Sequence, residues 1–263
     1  MKKYTGYQAE DWATAWAKYF QENTRPVIHP DAAEALKKCP LPPGSLPSIE
    51  QVASLLKPGY TDSETGYTRE TDGSLRVAVL TKMPKVSPEM WDWWFGWHGS
   101  RDNRYKLWHP AAHVSAVWAD GRADHAYIGR VSQIQEYIGK SLEKANIAFQ
   151  DPRELGLPGE EIADKTKVVF ICARLGYTHL PLDFGWLVHQ IRRTDEGAEM
   201  RPRFWMGGRH IELRGGFFPK LLSKTLQKLA RLPERQALDL LTHCSEEMNH
   251  LAGFLPKIYS KLA

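Results

Sequence analysis

Cysteine, long apolar runs and an excess of one charge are all scarce in this sequence of 263 residues. The three cysteines, Cys39, Cys172 and Cys244, are odd in number and far apart, which excludes a disulfide framework and favours a reducing cytoplasm. No apolar stretch approaches the roughly 20 residues that span a bilayer. Residues 1–3 are not followed by the apolar run of a signal peptide. We therefore expect a cytoplasmic protein with no membrane partner.

Features of nucleic-acid-binding proteins are absent as well. The net charge of +4 comes from 35 basic and 31 acidic residues, and no basic tract is interleaved with aromatic residues. Neither zinc-finger spacing nor a phosphate-binding glycine loop is present, so we expect no nucleic-acid partner. Hydrophobic content of 42% and charged content of 25% are typical of a globular domain.

Tryptophan is the residue that is unusually abundant. The chain has ten tryptophans, and five of them fall between residues 91 and 108. Most such rings fill the protein core, and we expect a minority to stack on an aromatic ligand.

The chain divides into a small helical segment over 1–68 and a main domain over 69–263. Aromatic residues at helical spacing predict a helix over 9–21, and Ser48 with Gln51 predicts a capping box that opens a second helix. This segment is too small for its own core. We therefore expect it to pack on the main domain or on a second subunit.

The main domain begins with segments rich in β-branched and aromatic residues, which predict strands. These segments cover 75–81, 105–118, 126–139, 141–150, 167–173, 186–193 and 203–206. A basic amphipathic helix over 219–231 and a long helix from Pro233 to about Leu255 follow. Many strands before one long helix predict an α+β domain in which a curved antiparallel sheet wraps the last helix.

The last helix has a continuous apolar stripe at about 100° per residue. The stripe comprises Ala237, Leu241, Cys244, Met248, Leu251, Leu255 and Ile258. Glu247 falls inside the widened stripe and His243 lies one turn earlier, whereas Glu246 is expected to point into solvent. A carboxylate on a buried face is costly unless it is paired or metal-bound. A His-x-x-x-Glu pair is more often a surface contact, but here it can place two ligands on one ion.

A second carboxylate occupies an apolar face in the predicted strand over 126–139. Side chains alternate along a strand, so Glu136 shares its face with Ile134 and Ile138. The alternative register turns this face to solvent and places Val131 and Tyr137 inside.

Two histidines, His109 and His113, flank Pro110, which excludes a regular helix through both. Either one could instead be a hydrogen-bonded core residue. Two carboxylates with one or two imidazoles would form a four-ligand site suited to zinc, provided that one position opens for water or substrate.

Five blocks of sequence together resemble a known family. They are Met90-Trp-Asp-Trp-Trp-Phe-Gly-Trp-His98, Arg104-Tyr-Lys-Leu-Trp-His-Pro-Ala-Ala-His113, Gln135-Glu-Tyr-Ile-Gly139, Glu199-Met-Arg-Pro-Arg-Phe-Trp205 and His243-Cys-Ser-Glu-Glu-Met248. In this order they are similar to the zinc-dependent 2,4-diacetylphloroglucinol hydrolases and phloretin hydrolases. The resemblance implies a helix-grip (Bet v 1-like) domain with a small N-terminal part that helps to form a homodimer.

The resemblance also implies site residues. The expected zinc ligands are His113, Glu136, His243 and Glu247. His113 is preferred to His109 because it lies eight residues after Tyr105, as in the family. Tyr105 and His189 resemble substrate-contacting residues, which could move protons during catalysis.

The function implied is hydrolysis of the carbon–carbon bond between an acyl group and a phloroglucinol-type ring. One alternative is a non-catalytic helix-grip carrier of aromatic or polyketide ligands, and another is a metal-free polyketide cyclase. A Cys244–His243 nucleophile pair is poorly placed, because adjacent helix residues diverge by about 100°. The sequence does not identify the acyl group.

Overall fold

A computed structural model of the chain describes residues 6–20, 27–215 and 220–263. Within these residues, ten strands form one sheet in which every neighbouring pair is antiparallel. The strands are β1 Gly66–Arg69, β2 Leu75–Ala78, β3 Thr81–Pro84, β4 His113–Trp118, β5 Val131–Ile138, β6 Ser141–Gln150, β7 Val168–Tyr177, β8 Leu182–Thr194, β9 Gly197–Met206 and β10 Glu212–Leu213. Their order is β1-β2-β9-β8-β7-β6-β5-β4, with β3 beside β9 and β10 beside β8.

Helices cover the sheet and fill its concave side. They are α1 Ala9–Trp12, α2 Pro30–Leu36, α3 Pro88–His98, α4 Asp102–Trp108, α5 Lys220–Leu229, α6 Glu234–Ala252 and α7 Leu255–Leu262. Short 3-10 helices span Ala17–Tyr19, Ile49–Leu56, Pro152–Leu155 and Gly208–His210. In the described parts of the chain, every helix falls short of the length or the apolar character that a bilayer span requires.

The prediction of a sheet wrapped around the last long helix is confirmed. Every residue of the apolar stripe is fully buried, and α6 packs against β1, β2, β3 and β5. The helix ends at Ala252 rather than near Leu255, and α7 begins afresh with Pro256 in its first turn. This arrangement is the α+β helix-grip fold.

The N-terminal segment packs on its own chain. The capping box of Ser48 and Gln51 is present, although it opens a 3-10 helix. The prediction of one helix over 9–21 is wrong, because α1 ends at Trp12 and a separate 3-10 turn follows; residue 21 lies outside the described residues. Tertiary contacts override the helical pattern here, since Trp16 packs edge-to-face on Trp97 at 5.3 Å.

Buried hydrogen bonds to the Leu55 carbonyl, beside an ion pair of Arg201 with Glu64, hold the 3-10 helix of Ile49–Leu56 on the outer face of the sheet. The Arg201 guanidinium donates to Glu64 at 2.6 Å and to the Leu55 carbonyl at 3.2 Å. Gln190 donates to the same carbonyl at 2.7 Å. Since the side chains of Arg201 and Gln190 are both buried, these bonds satisfy groups that would otherwise be costly on this face.

Two predicted strands are shorter than expected. The segment 105–118 contains α4 and only then β4, because the Asp102 carboxylate accepts from the Ala116 amide at 3.0 Å and folds the helix back on the strand. The segment 126–139 becomes a strand only at Val131, since the residues before it form a loop. Arg130 donates to Asp120 at 2.8 Å within that loop. The basic helix predicted over 219–231 is α5, and residue 219 lies outside the described residues.

Candidate metal centre

The predicted ligands meet where the sheet faces the long helix. His113 opens β4 and pairs directly with Glu136 on β5. His243 and Glu247 lie one turn apart on α6. Ligand atoms of His113, Glu136 and His243 all lie within 4.8 Å of one another. Two residues distant in sequence from α6 are thus placed against it by the register of one strand pair.

Polar atoms of His113, Glu136 and His243 converge on one point, and the carboxylate of Glu247 lies beside the two imidazoles. The Nε2 atom of His113 lies 3.3 Å from Glu136 Oε2 and 3.3 Å from Glu247 Oε2. The Nε2 atom of His243 lies 3.4 Å and 3.7 Å from the same two oxygens. The two Nε2 atoms are 3.4 Å apart. The side chains of Glu136 and Glu247 are only 16% and 8% exposed, so both carboxylates point inward.

The backbone of α4 sets the orientation of His113. Its Nδ1–H donates to the carbonyl of Tyr105 at 3.0 Å, and its ring stacks on the Tyr105 ring at 3.8 Å. A carbonyl only accepts, so Nδ1 carries a proton and Nε2 faces the carboxylates. This outer contact is the kind that orients metal-binding histidines.

The electrostatics of the cluster favour a cation at its centre. Burial lowers the pKa of His113, but the hydrogen bonds that it donates to Glu136 and Glu247 outweigh burial and raise the pKa to about 9. Burial raises the pKa of Glu136, yet His243 and His113 hold it well below its usual range. In the absence of an ion, a proton on His113 therefore supplies the positive charge that the carboxylates require.

Tyr105 completes the inner wall of the cluster. Its hydroxyl donates to Glu136 Oε2 at 2.5 Å. Burial, together with the neighbouring carboxylate of Glu136, raises the pKa of Tyr105 well above its ordinary value. The phenol therefore keeps its proton at neutral pH, and this proton points at a carboxylate of the cluster.

His109 and Glu246 form a separate pair beside the cluster. Nε2–H of His109 donates to Glu246 Oε2 at 3.1 Å, and the His109 ring stacks on His243 at 4.8 Å. The expectation that Glu246 points into solvent holds only in part, because its side chain is 30% exposed and pairs with His109 in the loop after α4. His109 therefore contacts the cluster through a ring face, while the imidazole nitrogen of His113 points into it.

A cavity of about 150 Å³ opens from the cluster between the sheet and α6. Its wall is mainly apolar and aromatic, and includes Phe95, Trp108, Ile134, Phe149, Leu187 and Phe204. Ile134, Glu136 and Ile138 all face this cavity, which is the inward register of β5 considered above. Of the five tryptophans between residues 91 and 108, all of them described, only Trp108 lines the cavity.

His189 and His98 also line the cavity. Burial lowers the pKa of each imidazole to about 3, so both are neutral at physiological pH. His189 was predicted to contact substrate, and its cavity position is consistent with that role. Sequence reasoning assigned no role to His98, although this residue ends the tryptophan-rich block over 90–98. The one feature of the sequence that could have drawn attention to it is its position seven residues before Tyr105.

A sheet that grips a long C-terminal helix, with imidazoles and carboxylates converging between the two, defines a helix-grip protein with a candidate metal centre. Within that class, the sequence identifies the family to which the chain belongs. It belongs to the DAPG hydrolase PhiG domain family, whose match covers residues 46–260. The family resemblance noted in the sequence is therefore confirmed.

Similar proteins include two named hydrolases. The 2,4-diacetylphloroglucinol hydrolase of Pseudomonas protegens is 29% identical over 93% of this chain and 83% of its own length. The phloretin hydrolase of Eubacterium ramulus is 26% identical over 97% of this chain and 93% of its own length. Among solved structures, Ara h 8.0201 is 12% identical, with a TM-score of 0.43 over 70% of this chain and 99% of its own. Ginseng major latex-like protein 151 from Panax ginseng is 14% identical, with a TM-score of 0.39 over 68% of this chain and 98% of its own.

Proposed function

We propose that this protein is a zinc-dependent hydrolase of the carbon–carbon bond between an acyl group and a phloroglucinol-type ring. The observation that carries the proposal is the convergence of two imidazoles and the Glu136 carboxylate, with Glu247 beside the imidazoles, at one end of an aromatic-lined cavity. The activities for which the two similar hydrolases are named support the reaction type and the substrate class.

The spacing of the polar atoms supports zinc and the ligand set His113, Glu136, His243 and Glu247. A tetrahedral ion with bonds of about 2.0–2.1 Å separates its ligand atoms by about 3.3–3.4 Å. The three distances among His113, Glu136 and His243 are 3.3, 3.4 and 3.4 Å, which match a tetrahedral ion. Glu247 lies 3.3 and 3.7 Å from the two imidazoles but outside the group whose ligand atoms all lie within 4.8 Å of one another, and we propose it as the fourth ligand. An octahedral ion at similar bond lengths would bring adjacent ligands to about 2.9 Å. Imidazole nitrogen also suits zinc better than calcium or magnesium.

The reaction adds water to a ketone and releases an arene. An acylphloroglucinol can take a keto form in which the ring carbon bearing the acyl group is sp³. Water then adds to the carbonyl carbon, the bond to the ring breaks, and the electron pair spreads over the ring oxygens. Proton transfer gives a carboxylic acid and phloroglucinol. When bound, zinc would polarise the carbonyl and lower the pKa of a water toward about 7.

The chain's own residues supply positioning and proton transfer. The Tyr105 hydroxyl donates its proton in a hydrogen bond to Glu136, and Tyr105 can pass this proton to the departing ring. His189 lies in the cavity wall as a neutral imidazole, which suits hydrogen bonding to a ring oxygen better than carrying charge. The aromatic wall excludes bulk water from the ring, so the proton transfer takes place within the cavity.

An absorbance assay with diacetylphloroglucinol and phloretin, with and without chelator, tests the proposal. We expect zinc-loaded protein to hydrolyse at least one compound, chelation to abolish turnover, and added zinc to restore it. The variant Glu247→Gln should lose activity, whereas Glu160→Gln, the same change on an exposed carboxylate, should retain it. Binding of both compounds by zinc-loaded protein without turnover would overturn the proposal in favour of a carrier. Hydrolysis that is unaffected by chelation would overturn the role of zinc.

Three further properties are proposed on narrower grounds. The three cysteines are free, which supports a cytoplasmic location. The family resemblance supports a homodimer. We also propose a division of the chain between residues 68 and 69, a boundary that falls within β1. Light scattering on the purified protein tests the dimer, and fractionation of the source cells tests the location.

A further inference from the structure

His98 occupies a position in the cavity wall that the proposed reaction has not yet used. It is the last residue of α3, and only 4% of it is exposed. Its ring stacks beside that of Tyr105 at 5.8 Å, and the Tyr105 ring in turn stacks on His113 at 3.8 Å. His98 therefore lines the same cavity as the metal cluster, with its ring next to that of Tyr105.

Its hydrogen bonding determines which nitrogen carries the proton. The Nδ1 atom lies 2.8 Å from the carbonyl oxygen of Trp94. A carbonyl oxygen only accepts, so Nδ1 is the protonated nitrogen and Nε2 has a free lone pair. Among the described residues, no group donates to Nε2. Burial lowers the pKa of His98 to about 3, so this nitrogen stays an acceptor at neutral pH.

The surroundings of His98 favour a planar ring as the donor. Phe95 lies between the two cavity histidines, with its ring 5.5 Å from His98 and 5.9 Å from His189. An aromatic ligand can pack on Phe95 while groups at its edge reach the imidazoles. Only a group that donates a proton satisfies His98, because Nε2 cannot donate in this tautomer. A hydroxyl fits, and a carbonyl or an ether does not.

We propose that Nε2 of His98 accepts a hydrogen bond from a ring hydroxyl of the aromatic substrate, and so selects hydroxylated rings. This inference rests on the proposed function, and it names the group on the substrate that one further residue recognises. A site built to bond a hydroxyl discriminates against analogues that lack it, because a buried polar atom is then left without a partner.

A comparison of two enzymes with two substrates tests this. The variant His98→Phe keeps a ring for stacking but removes the acceptor, and His125→Phe makes the same change at an exposed histidine. The ratio of kcat/KM between 2,4,6-trihydroxyacetophenone and 2,4-dihydroxyacetophenone is measured for each. We expect His98→Phe to reduce this ratio by about 10-fold to 100-fold. The control should match the wild type.

Comparing ratios removes the difference in intrinsic reactivity between the two substrates and any uniform loss of folded protein. Binding of the products gives a second readout: phloroglucinol should inhibit the wild type about tenfold more strongly than resorcinol does, and this preference should vanish in His98→Phe. An unchanged ratio together with an unchanged preference would overturn the role of His98. Failure of the wild type to hydrolyse any acylated phenol, in contrast, would refute the proposed function itself.

Discussion

Mild acid should destabilise the metal-free protein through its buried neutral histidines. Burial lowers the pKa values of His98 and His189 to about 3 and that of His210 to about 4, against an ordinary value of about 6.5. A group whose pKa is lower in the folded than in the unfolded state contributes stability above about pH 6.5. That stability is lost as the pH falls, because only the unfolded chain takes up the proton.

The magnitude follows from these pKa values. At about pH 5.5, each of the three histidines lowers the free energy of unfolding by about 1.4 kcal/mol, or about 4 kcal/mol together. His113 acts in the opposite direction, since its pKa is raised to about 9 and the folded state already holds its proton. It restores about 1.4 kcal/mol over the same pH interval. We expect a net loss of at least about 3 kcal/mol between about pH 7.5 and about pH 5.5, because burial also lowers the pKa of His250.

Urea unfolding of chelator-treated protein at the two pH values measures this loss. The variant His98→Phe removes one of the three buried imidazoles and should reduce the pH-dependent loss by about 1.4 kcal/mol. The variant His125→Phe changes an exposed histidine and should leave the loss as in the wild type. A stability that stayed level or rose on acidification would show that the buried histidines are charged in the folded protein, contrary to the reasoning above.

Three other predictions concern single contacts. Tyr105→Phe removes the proton donated to Glu136, so we expect kcat to fall by about 100-fold while metal analysis still finds about one zinc per chain; an unchanged kcat would exclude Tyr105 from proton transfer. The buried ammonium of Lys106 pairs with Asp11 at 2.9 Å, and Asp11→Asn removes its counter-charge. We expect urea unfolding to show a free energy of unfolding lower by about 3 to 5 kcal/mol. A change near zero would show that water reaches Lys106. Gly139→Ala places a side chain at a φ of +61° and should lower the free energy of unfolding by about 1 to 2 kcal/mol. Thermal unfolding measures this loss, and an unchanged stability would contradict the prediction.

The parts of the site that follow a local repeat could be predicted from the sequence. The period of an α-helix places Glu247 on the buried stripe of α6, and the alternation along a strand places Glu136 with Ile134 and Ile138. Both carboxylates do face inward. Periodicity is informative here because each element has one buried face, and a wrong register would turn every apolar side chain outward.

The remainder depended on contacts between distant residues. The choice between His109 and His113 follows from the pairing of β4 with β5, which places His113 opposite Glu136. The partner of Glu246 is His109, 137 residues away, and a helical wheel gives a direction from the helix axis without showing which loop lies there. The tautomer of His98 follows from a single backbone carbonyl and has no sequence signature.

The metal content of purified protein tests the central claim most directly, because everything proposed for catalysis depends on a cation between α6 and the sheet. Elemental analysis of the wild type and of His243→Ala should find about one zinc per folded chain in the first and almost none in the second. Zinc at full occupancy in His243→Ala would contradict the ligand assignment. A fully active wild type without any metal would contradict the account as a whole.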